Sequence, residues 1–238
     1  MVALLRSTPA AAQALPFDHV HVAVPDVKRA VDWYRQYVGG EPISGEPANR
    51  LMVGDTRVVF LENRSPSPTT DGAINHVGYG NPDVPAAVAL ILANGGARHA
   101  EPSRLPGAIM LSDPWGTRLE LVPAASRSVH HVHLGSVDPH GTANWYRRMF
   151  RGASGTMAGE VTVAFGDVLL MIAKGTVRAS EGSAYDHIGS RTPQLEATLT
   201  KLRAAAVRQL SEIEMRGATT KVIFVEGPSG AKIELLQR

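Results

Sequence analysis

Four short stretches carry histidine where a β-strand would begin: DHVHV at 18–22, NHVGY at 75–79, HHVHL at 130–134 and DHIGS at 186–190. The recurring histidines are His19, His76, His131 and His187. Two later stretches, TRLEL at 117–121 and AKIEL at 231–235, set Glu120 and Glu234 between apolar neighbours. Two imidazoles and one carboxylate on one side of a divalent metal leave positions open for substrate or water, a set used with Fe(II) and open to Mn, Ni, Co or Zn. His21 and His133 lie two residues beyond two of these histidines, where an imidazole near a metal could serve as a general acid or base. A single strand histidine is ordinarily a hydrogen-bonded polar residue. Recurrence of the whole His, His, Glu set favours metal, because an unpaired inward-facing carboxylate is costly.

The elements that must position these residues are legible from periodicity. In Phe17–Gly40, Asp18, Val20, Val22 and Val24 fall on one strand face and His19, His21 and Ala23 on the other. Asp26 is suited to cap a helix in which Ala30, Val31, Tyr34 and Val38 recur at helical spacing until Gly39-Gly40 ends it. His131–Gly152 repeats His19–Gly40, sharing HVH, an Asp, WYR and the closing Gly, and the repeat marks a duplication. Ile74–Gly96 and Tyr185–Val207 are a second related pair, with Thr192 expected as an N-cap and Pro193 at the first helical position. Trp33-Tyr34 and Trp145-Tyr146 have helical placement and read as packing residues.

The organisation expected is α+β: four tandem strand–helix–strands units, each too small to hold a core alone, paired into two domains whose helices cover one face of a curved sheet, its other face a cup. Residues 17–62 and 74–123 would form an N-terminal domain, and 129–174 and 185–238 a C-terminal one. Pairing within each half would place His19, His76 and Glu120 in one cup, and His131, His187 and Glu234 in the other. Gly78 and Gly189 would leave room over the metal for a substrate. Arg57 and Arg118 would project into the first cup and hold an anionic substrate, against Leu169 and Lys232 at the matching places of the second.

The chain has 238 residues, a net charge of +2 and no cysteine, which excludes disulfides, thiolate nucleophiles and cysteine-bound zinc. Basic residues are scattered, so nucleic acid is not an expected partner. No apolar run approaches the roughly 20 residues needed to cross a bilayer. Residues 1–16 contain no acidic residue and include Ala12-Gln13-Ala14, an A-x-A pattern. They read as a leader or a remnant signal peptide, which leaves cytoplasmic and exported locations both open.

The segments DHVHVAVPD…WY, INHVGY, DPWGTRLEL, HHVHLGSVD…WY, YDHIGS and GPSGAKIEL together resemble the vicinal oxygen chelate superfamily. That superfamily includes glyoxalase I, fosfomycin- and bleomycin-resistance proteins and type I extradiol dioxygenases. The resemblance runs from Phe17 to the C-terminus. It implies paired βαβββ modules and metal positions at His19, His76, Glu120, His131, His187 and Glu234. It also implies a divalent metal (Fe2+, Mn2+, Zn2+ or Ni2+), a small oxygen-chelating substrate and lyase- or isomerase-like chemistry, with a homodimer open. A glyoxalase-type further glutamate is missing, since Val59 and Met171 stand at its positions. The dioxygenase tyrosine position reads Met110 and about Phe224, and His99 is out of register for its histidine. Ring-cleaving dioxygenation and metal-free ligand sequestration are the two alternatives.

Overall fold

The computed structural model describes residues 14–238. The expected leader boundary at Ala12-Gln13-Ala14 falls largely outside them. The first module runs β1 (Phe17–Val24), α1 (Val27–Trp33), β2 (Glu41–Pro42), β3 (Arg50–Val53) and β4 (Thr56–Glu62). The second runs β5 (Ile74–Asn81), α2 (Val84–Ala93), β6 (Ala97–Arg98), β7 (Ile109–Ser112) and β8 (Arg118–Pro123). The third comprises β9 (Ser128–Ser136), α3 (Pro139–Phe150), β10 (Ala153–Met157), β11 (Glu160–Phe165) and β12 (Val168–Lys174). The fourth comprises β13 (Tyr185–Arg191), α4 (Leu195–Ala204), β14 (Glu214–Arg216), β15 (Thr220–Glu226) and β16 (Lys232–Gln237). The fold is α+β, with each module contributing one helix and a βαβββ order.

Local chemistry explains the helix ends. Asp26 accepts from the Arg29 amide at 3.0 Å, and Asp138 from the Gly141 amide at 2.9 Å, with Pro139 in the first turn of α3. After α1 the helix widens over Tyr34–Val38 and closes with a Gly39 amide bond to the Tyr34 carbonyl, where Gly39 takes φ of 119°. The expected Thr192 cap is corrected. Helix α4 starts at Leu195, its N-cap Gln194 makes no side-chain capping bond, and Thr192 Oγ1 instead lies 2.8 Å from Thr198 Oγ1.

The two sheets differ from the pairing expected within each half. One has the order β14-β15-β16-β13-β1-β4-β3-β2 and joins the first module to the fourth. The other, β10-β11-β12-β9-β5-β8-β7-β6, joins the second to the third. Connector length supplies the reason. The short linker 124–127 returns β9 directly beside β5, whereas 63–73 and 175–184 cross between sheets. Those two crossings run side by side, bridged at Ser67 with Ser183 and Gly72 with Arg178, with Arg178 bonded to Asp71 at 2.7 Å. One apolar core, with Val20, Tyr34, Tyr79, Tyr146 and Tyr185 among its buried members, runs through both cups. No described helix is long and apolar enough to cross a membrane.

Candidate metal centres

The pairing brings together two donor sets, each drawn from modules far apart in sequence. In the cup of the first and fourth modules, His19, His21, His187 and Glu234 are buried, and each offers one ligand atom within 4.8 Å of the others. In the cup of the second and third modules, His76, Glu120 and His131 do the same. The expectation that His19 would join His76 and Glu120, and His131 join His187 and Glu234, is therefore corrected. His19 and His131 exchange places because β1 lies beside β13 and β9 beside β5.

A recurrent backbone device aims the imidazoles. The antiparallel registers slip between Phe17 and His19, Ile74 and His76, Val129 and His131, and Tyr185 and His187. Each slip is a β-bulge whose extra residue stands just before the histidine: Asp18, Asn75, His130 or Asp186. The bulge lets the side chain of that extra residue reach the Nδ1 of the histidine that follows. Asp18 Oδ1 lies 2.9 Å from His19 Nδ1 and Asp186 Oδ1 lies 2.5 Å from His187 Nδ1. Asn75 Oδ1 lies 2.8 Å from His76 Nδ1, and His130 Nδ1 lies 3.0 Å from His131 Nδ1. Asp18 thus serves the histidine face rather than the valine face expected for it. The x-His pair of each module was a visible signal. Its meaning depends on the bulge, which strict alternation hides.

In the cup of the second and third modules, Glu120 Oε2 is 3.1 Å from His131 Nε2 and 3.6 Å from His76 Nε2, and the two Nε2 atoms are 3.3 Å apart. Burial drives His76 down to about 3 and also lowers His131. Burial opposes ionisation of Glu120, but hydrogen bonds from His131 and His76 outweigh it and hold the carboxyl well below its usual range. These donors face a cavity of about 300 Å³, also lined by Arg118, His133, Glu160, Met110 and Met171. Arg118 Nη2 bonds Glu101 at 2.8 Å, while its Nε is buried without a partner. His133 Nε2 meets Glu160 Oε2 at 2.7 Å, and Arg104 lies 3.2 Å from the other carboxylate oxygen. Nothing in the sequence repeat pointed to Glu160, because its module-one counterpart is absent from the motifs.

In the cup of the first and fourth modules, Glu234 Oε2 is 3.2 Å from His187 Nε2 and 3.6 Å from His19 Nε2. His21 stacks on His187 with ring centroids 3.9 Å apart. Burial, then the neighbouring His187 and His19, push His21 well below its ordinary value. Burial opposes the charge on His19, but the bond to Asp18 and the Glu234 carboxylate 3.6 Å away outweigh it and raise its value. Glu234 is held well below the carboxylate range because His187 and His19 overcome the penalty of burial. Arg216 Nη1 reaches both Glu234 oxygens at 3.2 Å.

Two further expectations change. A Cβ at Gly78 would fall deep inside the His131 ring, and one at Gly189 inside the His19 ring. These glycines make room for the neighbouring module's imidazole rather than for substrate. Arg57 and Arg118 do not share a cup: Arg57 pairs in register with His19, and its guanidinium bonds Glu46 at 2.8 Å and Asp18 at 3.4 Å.

Both donor sets fit a divalent metal. In the first-and-fourth cup, His19 Nε2 and His21 Nδ1 are buried without a hydrogen-bond partner. A buried nitrogen of this kind calls for a partner, and a divalent ion would supply one to both. In the other cup, two imidazole nitrogens and a carboxylate oxygen converge on one point at the cavity floor.

The fold is shared with solved structures. Glyoxalase I from Zea mays superposes with a TM-score of 0.74 at 19% identity, over 93% of this chain and 92% of that one. A candidate dioxygenase from Bacillus subtilis subsp. subtilis str. 168 gives 0.71 at 15% identity, over 95% and 86%. No curated protein sequence matches the chain. Residues 17–121, which span the first two modules, match the family described as the Glyoxalase/Bleomycin resistance protein/Dioxygenase superfamily.

Proposed function

We propose that the cup of the second and third modules is the catalytic site of a metal-dependent enzyme acting on a small, oxygen-chelating, anionic substrate in a lyase- or isomerase-like reaction. The observation that carries this reading is the 300 Å³ cavity, which has His76, His131 and Glu120 together in its wall and Arg118 beside them. A divalent ion held by those three residues would supply Lewis acidity toward vicinal oxygens of the substrate.

The chain's own residues do the rest. Arg118, which lines the cavity with its Nη2 held by Glu101, supplies the positive charge that would draw a substrate carboxylate or similar oxyanion. Glu160 is kept ionised by His133 and Arg104 despite its burial. Its carboxylate fixes the proton of His133 on Nε2, which leaves Nδ1 to accept a proton from substrate. Met110 and Met171 line the same space with flexible apolar surface.

The test is metal analysis of protein purified without a histidine tag, followed by a panel of α-oxygenated acids. Wild type should bind metal in this cup and turn over at least one member. His76→Ala should lose both that metal and turnover. Metal bound equally by wild type and His76→Ala would refute the assignment. Oxygen uptake with catechols would move the reading to ring cleavage.

A further inference from the structure

We propose that a cavity between the end of α3 and the start of α4 binds a small phosphate ester, its dianionic head against Arg151, Arg191, Lys201 and Arg238 and its organic body against Leu15 and Met149. The cavity measures about 600 Å³, a size that takes a metabolite-scale ligand. Its lining shares no residue with either donor set or with the cavity of the second and third modules. Four basic side chains line it and no acidic one does. A hollow walled by one sign of charge concentrates the opposite sign.

The fold holds these charges in place before any ligand arrives. Asp18 is buried, and its carboxylate takes Arg238 Nη2 at 2.7 Å and Arg191 Nε at 3.1 Å. Each arginine gives Asp18 one nitrogen, and the rest of its planar fork matches the oxygens of a phosphate. Lys201 is anchored differently, with Nζ donating to the carbonyls of Arg148 and Met149 at the last turn of α3. Burial, and then the nearby charge of Arg151, lower its ammonium below the usual lysine value. Two cations thus face each other without a carboxylate between them, and an anion seated there would relieve the repulsion.

The duplication supplies an internal comparison. Arg151 closes α3 in the left-handed conformation, with φ of 63°. Its counterpart in the first module is Gly39, the residue that this backbone favours. The positions matching Arg191, Lys201 and Arg238 in the second module are Gly80, Leu90 and Ala124. The cap Asp83 is replaced by the neutral Gln194, which removes a carboxylate from the lining. At the counterpart of Leu15 stands Arg127, which packs over Gly39 instead. The same scaffold therefore carries the basic set at one end only, so the set is not a requirement of the fold. The side chains keep a surplus of positive charge after Asp18 is counted, which favours a dianion over a carboxylate. Leu15, Met149, Pro193 and Ala197 give the remaining wall apolar surface for an organic group.

Calorimetric titration of the full chain with phenyl phosphate, inorganic phosphate and benzoate tests the site. Phenyl phosphate should bind with a Kd of about 1 mM or tighter, and the other two about tenfold more weakly, one lacking the apolar body and the other the second charge. Arg151→Gln combined with Lys201→Gln should weaken phenyl phosphate by about tenfold or more. Arg151→Gln alone, at an exposed position, should weaken it by about threefold, which keeps the test valid should Lys201→Gln disturb the end of α3. Arg203→Gln removes the same charge from an exposed position on α4 outside the cavity and should change the affinity less than about twofold. Affinity should also survive Arg118→Gln, which removes the arginine of the other cavity. The inference is overturned by a wild type that binds no phenyl phosphate, by binding that the Arg151 variants leave unchanged, or by binding lost in Arg118→Gln. Inorganic phosphate or benzoate bound as tightly as phenyl phosphate would overturn the ligand class.

Discussion

A methyl group at Gly78 is a sharp probe of the site, because it tests the packing of an imidazole rather than its chemistry. In Gly78→Ala the new Cβ would overlap the His131 ring at three of its atoms. The ring is buried between β5 and β9 and tied to His130 at Nδ1, so it cannot simply swing into solvent. Overpacking of this kind costs about 1–3 kcal/mol. At roughly 2–4 °C per kcal/mol for a chain of this size, the melting temperature should fall by roughly 2–12 °C. Displacing His131 also removes or misaims a ligand, and loss of an orienting partner alone costs about 10–100-fold in metal affinity. Gly175→Ala is the control. Gly175 lines the same cavity, no atom stands within 4 Å of its would-be Cβ, and its φ is not positive. It should stay within about 0.5 kcal/mol of wild type. Metal titration by calorimetry and thermal unfolding, run on both variants, measure the contrast. Wild-type metal affinity together with wild-type melting in Gly78→Ala would show that His131 does not sit over Gly78, and the proposed ligand set would fail with it.

The duplicated WYR tyrosines should respond oppositely to loss of their hydroxyls. Tyr34 donates to Asp113 at 3.0 Å, and burial already raises the carboxyl of Asp113, whereas Tyr146 Oη is buried with no partner and faces Gly227 where the first repeat has that Asp. Tyr34→Phe should cost about 1–3 kcal/mol in urea unfolding and Tyr146→Phe close to nothing or a slight gain; equal losses would contradict the asymmetry. Leu119→Ala empties a fully buried position beside Glu120 and should cost about 2–5 kcal/mol, with metal binding surviving in the folded fraction. The exposed Asp71–Arg178 pair that joins the two connectors should matter little: Asp71→Asn should shift stability by no more than about 1 kcal/mol, read by denaturant midpoint.

Much of this was legible in the sequence, and the misses share physical causes. The modules, their helices and the histidines and glutamates that gather in the cups followed from period-two and helical patterning, because each first strand has one apolar face for the core and one face that carries the imidazoles. Which modules meet was not legible. That choice rests on the short turn 124–127 against two long crossings that brace one another, and a repeat carries no signal about its partner. Thr192 gave an N-cap signature, yet its hydroxyl bonds Thr198 and helix α4 begins later. The glycines were read as openings because a missing side chain has no address until the neighbouring strand is known. Once β9 lies against β5, Gly78 faces His131 in register, and the space is filled.

The bulged residue before each histidine is where the duplicated halves have parted company. Strand geometry at that position is the same in all four modules, so a substitution there changes what holds the Nδ1 proton, although Asp18 also anchors Arg238 at 2.7 Å and Arg191 at 3.1 Å. Asp at 18 and 186 meets in one cup; Asn at 75 and His at 130 meet in the other. Had modules paired within each half, each cup would contain one histidine from each sequence unit, and the carboxylate-backed rings His19 and His187 would be separated. Exchange pairing instead sorts like with like, and it places His21 with the carboxylate-backed pair and the His133–Glu160 dyad with the neutral-backed one. A single topological choice thereby sorts the histidines into two sets that differ in what stands behind their rings. Exchanging the backing residues in pairs, Asp18→Asn with Asp186→Asn, should then loosen metal in the cup of the first and fourth modules by about 10–100-fold while leaving the other cup's affinity unchanged, measured by competition with a fluorescent chelator. Equal weakening of both cups would mean that the two centres are coupled through the shared core rather than tuned one at a time.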